Sequence, residues 1–178
     1  GAVGEVPVFV PAGSRVALRM QSAVSSKAAT FAVRGKNRSG SPVPAKYCTT
    51  YGADTSTSRG TTLGVPGGAD THGAWTELTA ATSERLAGLV LCPGFGGVSA
   101  GQTGTRLYDV GVGGSGSEVA IIENLTASTN TNEQLLCEVD PRVHAVTIPA
   151  GTRLSARFSY NTGGTDADLI VVGIPWRP

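Results

Sequence analysis

Two glycine-bounded runs have the spacing that catalysis or cofactor binding would use. Gly97-Val98-Ser99-Ala100-Gly101 matches G-x-S-x-G, the pattern that holds a nucleophilic serine on a sharp turn between a strand and a helix. Here the next residues, Gln102-Thr103-Gly104-Thr105, lead into a strand, so Ser99 reads as part of a glycine-rich hairpin loop. Gly111-Val112-Gly113-Gly114-Ser115-Gly116 satisfies G-x-G-x-x-G. A dinucleotide site would need a helix N-terminus against the pyrophosphate. The following Glu118-Val119-Ala120-Ile121-Ile122 reads as a strand, buried through Val119, Ile121 and Ile122, its polar end at Glu123-Asn124 marking a loop. The glycines are therefore expected to serve a turn, where they supply positive φ.

The remaining candidates are scattered. His72, in a loop near Asp70, and His144, in a strand, are the two histidines, and neither forms a two-His or Cys-His set of the kind zinc needs. Asp166 and Asp168 alternate at the start of a strand and are expected to face solvent, whereas a glycosidase needs two carboxylates positioned in one cleft. Cys48, Cys92 and Cys137 lack zinc-ligand spacing. They read as three reduced thiols of a protein made in a cytosol, with a Cys92–Cys137 bridge as the alternative. Asn37-Arg38-Ser39 and Asn124-Leu125-Thr126 match the glycosylation pattern without a recognisable secretory signal to give it meaning. We assign no catalytic, cofactor-binding or metal residue and expect no cofactor.

The elements that would position any site are strands. Of 178 residues, 25 are glycine, 40% are apolar and 15% are charged. The charged share is well below the usual quarter or so, which suits a turn-rich all-β protein. The formal net charge of +1 leaves no electrostatic footprint for nucleic acid or an anionic membrane. No apolar run approaches the ~18 residues that cross a bilayer. Alternating apolar residues predict strands over 75–80, 86–91, 105–112, 118–125, 134–139, 143–148, 152–159 and 169–174. Only 79–86 could form a short helix.

One stretch occurs twice. Residues 10–35 align without a gap on 148–173, with roughly eight of about twenty-six positions identical. Each copy opens on a Pro-Ala-Gly turn and continues as a strand of period two. Leu154, Ala156 and Phe158 (Val16, Leu18 and Met20 in the first copy) point one way. Arg153 and Arg157 (Arg15 and Arg19) point the other, as a solvated or cross-strand face. Residues 6–10, 15–21 and 30–34 read as three strands. Alone they are marginal as a fold, and they look like the closing half of a domain whose opening half is missing. Residues 36–72 hold no persistent period and read as a long extended connector, pinned by Val43, Tyr47 and Tyr51.

Three stretches resemble a domain family of tailed-bacteriophage genomes. They are Gly73-Ala74-Trp75-Thr76-Glu77-Leu78-Thr79-Ala80-Ala81-Thr82-Ser83, then Tyr108-Asp109-Val110-Gly111-Val112-Gly113-Gly114-Ser115-Gly116-Ser117-Glu118 with Ile121-Ile122-Glu123-Asn124-Leu125, and Ile148-Pro149-Ala150-Gly151-Thr152-Arg153. The family's members look like virion structural proteins, often labelled tail or fibre proteins, and often carry two such domains in tandem. The likeness covers about residues 73–175, with the tail of a preceding copy over about 1–35. The upstream copy departs from the pattern, because it lacks the half that runs from the Trp to the Gly-Ser-Glu. Either that half is lost or another subunit supplies it.

The expected fold is all-β. It comprises an antiparallel β-sandwich or jelly roll over 73–178, an N-terminal β arm over 1–35 that is a partial copy of the repeat, and an extended connector over 36–72. The resemblance implies a non-enzymatic structural subunit on a phage virion, in the tail or fibre apparatus or as a capsid decoration. Assembly in the host cytoplasm is implied, with a homotrimer and other virion proteins as partners and neither nucleic acid nor membrane. The alternative is a carbohydrate-binding jelly-roll module that recognises a host-surface glycan.

Overall fold

The computed structural model describes residues 10–11, 13–17, 48–54, 59–94, 104–129, 143–161 and 167–176. Among them are nine strands and no helix: β1 (Thr49–Tyr51), β2 (Ala53–Asp54), β3 (Arg59–Leu63), β4 (Thr76–Thr79), β5 (Leu86–Gly94), β6 (Gly104–Val112), β7 (Val119–Thr129), β8 (Leu154–Tyr160) and β9 (Ala167–Pro175). They form two antiparallel sheets. One has the order β4-β8-β6-β7. In the other, β5 runs along one side of β9, while β1 and β3 share its opposite side and β2 pairs with β3. One apolar core joins residues of both sheets, consistent with a β-sandwich.

The last two strands lie in the middle of both sheets. Their period of two places Leu154, Ala156, Phe158, Tyr160, Ala167, Leu169 and Val171 inward, each at most 2% exposed. Full burial stabilises by ~1.5–3 kcal/mol for each large apolar side chain. Gly173 continues the inward row of β9. A Cβ there would stand 2.8 Å from Tyr51 Cε2 and 3.1 Å from both Leu86 methyls, so close packing demands glycine. Irregular register also shapes the core. A shift between Leu86 and Gly88 lets Leu86 and Leu89 both face inward despite their odd spacing.

Several expectations are corrected. The stretch expected to be a connector carries β1, β2 and β3, and β1 and β3 pair with β9. Its polar, Thr-rich sequence hid these strands because each is short and only β1 and β3 meet the core, at Tyr51 and Leu63. Residues 79–86 are not helical. They leave β4, bend, and enter β5, and Thr82 is held there by the turn that precedes β8. Residues 143–148 form two single bridges to β5, at His144 and Ile148, instead of a strand. Glu123-Asn124 is no loop. It is a bulge inside β7, where the register slips and Asn124 takes φ 55°. Val119, expected in a buried strand, is 65% exposed at the strand's start.

In the first copy, residues 13–17 are exposed, and residues 15–17 are not in a strand. The rest of the expectations for 1–9, 18–35 and 134–139, with Val43, Tyr47, Cys137, Asp166, the Asn37 sequon and Ser99 in its glycine run, fall outside the described residues.

Candidate functional site

Charge gathers on the outer face of the β4-β8-β6-β7 sheet. Asp109 on β6 stands opposite Arg157 on β8 and is only 1% exposed. Its Oδ2 accepts a hydrogen bond from Arg157 Nε at 2.9 Å and lies 3.1 Å from His72 Nε2. Its Oδ1 accepts the Asn124 backbone N–H at 2.9 Å, so the β7 bulge exists to reach this carboxylate. The Arg157 guanidinium carbon sits 4.5 Å from the centre of the Trp75 ring, a cation–π distance. Trp75 in turn lies where a side chain at Gly111 would be, 2.8 Å from an added Cβ.

A second cluster lies on the same face. Arg153 donates from Nε to Glu77 Oε2 at 2.7 Å, and from a terminal nitrogen to Glu118 Oε1 at 2.8 Å and to the Gly113 carbonyl at 3.1 Å. Glu118 Oε2 accepts the Gly116 N–H at 2.9 Å. The Arg153 hydrogen bond, opposed in part by desolvation, holds the Glu118 carboxyl below its ordinary range. The two glutamates push Arg153 further up. Of the two readings left open for the arginine face, Arg153 and Arg157 follow the cross-strand one, and their partners are acidic.

A His-Asp pair is a component of general-base catalysis. Here His72 is fixed by backbone pairing to β8, opposite Ser159 and beside the Gly73 N–H to Phe158 O bond at 2.9 Å. Among the described residues no serine, threonine or cysteine is hydrogen-bonded to it. Both Asp109 oxygens already accept bonds from the scaffold. The arrangement fastens residues 72–75 and β7 onto β8 and β6.

The other candidates do not converge. Gly111 to Gly116 closes the β6–β7 hairpin, with Gly113 and Gly116 at positive φ, and a strand follows. Asp168, expected to face solvent, is 3% exposed and accepts the Thr62 hydroxyl at 2.8 Å. Pairing of β3 beside β9 brought Thr62 to it. His144 bridges to Leu89 through backbone bonds at 2.8 and 3.0 Å. Cys48 and Cys92 are free thiols, both pushed up by burial and Cys48 also by Glu84. Asn124 is exposed. Among the described residues no group of three or more His, Cys, Asp or Glu could hold a metal ion, and no helix is long and apolar enough to cross a membrane. A groove of about 310 Å³ is lined by Val112, Ile121, Val146, Ile148 and Pro149, with Thr147 and Thr152, and none of these is titratable.

The sequence reading missed Asp109 as the hub. Its signal was an acidic residue set between the apolar Tyr108 and Val110 of a strand. The partner could not be named without the register that sets Asp109 beside Arg157.

Comparison with protein-family models, with curated proteins and with solved structures finds no match to this chain.

Proposed function

We propose that this chain is a non-enzymatic structural subunit on the surface of a tailed-phage virion, in the tail or fibre apparatus or as a capsid decoration. One observation carries the reading. The residues that make the phage-domain resemblance pack on one another. Trp75 covers Gly111, Glu77 and Glu118 hold Arg153, and the 148–152 turn binds Thr82. Such residues encode a frame and do not converge on a substrate. In this reading the sandwich is a jelly roll, residues 1–35 are an arm that packs against a neighbour, and the subunit assembles as a homotrimer with other virion proteins. Gold-labelled antibodies on intact particles of the phage whose genome encodes this sequence test it. Label on the head means decoration, label on the tail means an appendage, and particles without label refute the proposal.

A second reading is carbohydrate recognition at a receptor-binding tip. Trp176, 44% exposed with Arg85 over its ring at 4.4 Å, is the observation that favours it. Binding to one defined sugar on a glycan array, lost in Trp176→Ala, would establish that reading.

A further inference from the structure

We propose that the outer face of the β4-β8-β6-β7 sheet binds a neutral sugar through Trp75, His72 and Arg157, with the buried Asp109 as the residue that positions them. The inference goes beyond the structural-subunit reading and does not rest on it. It also concerns a different place from Trp176, which follows β9 in the other sheet.

The placement follows from register. Asp109 stands opposite Arg157. Residues 70–73 continue the line of β4 along β8, with the Asp70 N–H on Tyr160 O at 3.0 Å and the Gly73 N–H on Phe158 O at 2.9 Å. Three neighbouring stretches of backbone thus bring His72, Trp75, Arg157 and Asp109 together. The Asp109 carboxylate is buried, so a ligand does not reach it. Its part is to hold Arg157 Nε at 2.9 Å and His72 Nε2 at 3.1 Å. An arginine or histidine on an open surface gives up rotamer freedom when it grips a ligand. Here the bonds to Asp109, and the Arg157 guanidinium lying 4.5 Å from the Trp75 ring centre, order both side chains beforehand.

Each of these side chains keeps hydrogen-bonding capacity that the frame does not use. Among the described residues the terminal nitrogens of Arg157 have no hydrogen-bond partner, and the same holds for His72 Nδ1 and the Trp75 indole N–H. The Arg157 and His72 side chains are 29% and 31% exposed, and Trp75 is half-buried. An aromatic ring partly in water, flanked by planar polar groups of fixed orientation, matches a sugar. The C–H face of the sugar covers the ring, and its hydroxyls meet the nitrogens. A hydroxyl both donates and accepts, so neighbouring hydroxyls accept from the guanidinium and donate to Nδ1 of the neutral imidazole.

The charges favour a neutral ligand over an anion. Asp109 offsets Arg157, and two further carboxylates border the site. Asp70 is exposed in the same loop as His72. Glu77 is 49% exposed and, among the described residues, bonded only through Oε2, to Arg153. Arg153 is itself engaged by Glu77 and Glu118. A carboxylate or phosphate would meet no surplus of positive charge, whereas an uncharged polyol finds donors at Arg157 and an acceptor at Glu77. The sugar is held and not converted, since no nucleophile among the described residues is bonded to His72.

The test is an NMR titration of the intact, isotope-labelled chain with the methyl glycosides of glucose, galactose, mannose and N-acetylglucosamine, and with inorganic phosphate as the anion. The expected result is a saturable shift of the Trp75 indole and Arg157 Nε–H signals with at least one glycoside, none with phosphate, and an unmoved Trp176 indole signal. Arg157→Lys keeps a cation for Asp109 but loses the planar fork, and is expected to weaken binding about tenfold. The proposal is overturned if no glycoside gives a saturable shift, if the shift is confined to Trp176, or if phosphate moves Trp75 as strongly. Unchanged affinity in a folded Arg157→Lys chain overturns it as well. The titration of the unmodified chain decides the matter even where that variant folds poorly. Particle labelling can fail while a glycoside binds, and the reverse, so this result and that of the functional reading are separable.

Discussion

The glycines of the two Pro-Ala-Gly stretches take the same left-handed conformation in opposite surroundings. Gly13 and Gly151 differ by only a few degrees in φ, at 80° and 77°. Proline fixes one dihedral and glycine accepts the left-handed one, so four residues are enough to specify the turn. The strand after it is another matter. Leu154 is fully buried between β4 and β6, whereas Val16, in the same sequence context, is half exposed. Local sequence makes the turn, and neighbouring strands, β4 and β6 in the case of Leu154, make the strand. Three or more strands, or equivalent packing, are needed before a β-ribbon is stable by itself.

The comparison can be broken most severely at Leu154. Leu154→Asp places a carboxylate in the core and is expected to cost more than about 4 kcal/mol, read as loss of the cooperative urea transition. Val16→Asp changes the same position of the other copy and is expected to fall within about ±0.5 kcal/mol. Next in size is Asp109→Ala. It strips Arg157 and the Asn124 N–H of their acceptor, and charged hydrogen bonds of this kind point to a loss of about 2–3 kcal/mol in urea titration. Gly173→Ala forces Tyr51 and Leu86 aside and is expected to cost about 1–3 kcal/mol in the same assay. It would show that the core is shaped around this glycine.

The smallest effect sharpens the role of the arginines. Glu118 has its folded-state pKa lowered by Arg153, so its stabilising contribution is complete above the ordinary glutamate range and is lost as pH falls through the folded value. Glu118→Gln should therefore lower the melting temperature near neutral pH. That difference should close as pH falls below the ordinary glutamate range and through the lowered folded value. A difference that does not change across this range would show that Glu118 acts through its shape and not its charge.

Much of the fold was legible in the sequence, for reasons that the particular residues make plain. β6 to β9 were found because apolar residues alternate along them, and β4 and β5 because short apolar runs lie between turn residues. β1 to β3 were missed because Thr49-Thr50-Tyr51 and Arg59-Gly60-Thr61-Thr62-Leu63 show too short and too polar a pattern. They are strands because β9 offers them an edge. The bulge at Asn124 reads as a loop from sequence, since only the buried Asp109 gives it a reason. The charged cluster was half visible. The period of Arg153 and Arg157 assigned them to one face, but the identity of Glu77, Glu118 and Asp109 as partners depends on register, which no short-range pattern encodes.

Amide hydrogen exchange of the intact chain, resolved by peptide, tests the contrast between the two copies most directly. The amides of β8 and β9 should be among the slowest in the molecule, opening only with global unfolding. Those of residues 15–17 should exchange at nearly the rate of an unprotected chain. Comparable protection in both copies would contradict the account, because it would mean that residues 15–17 are held as firmly as the paired strand they align with.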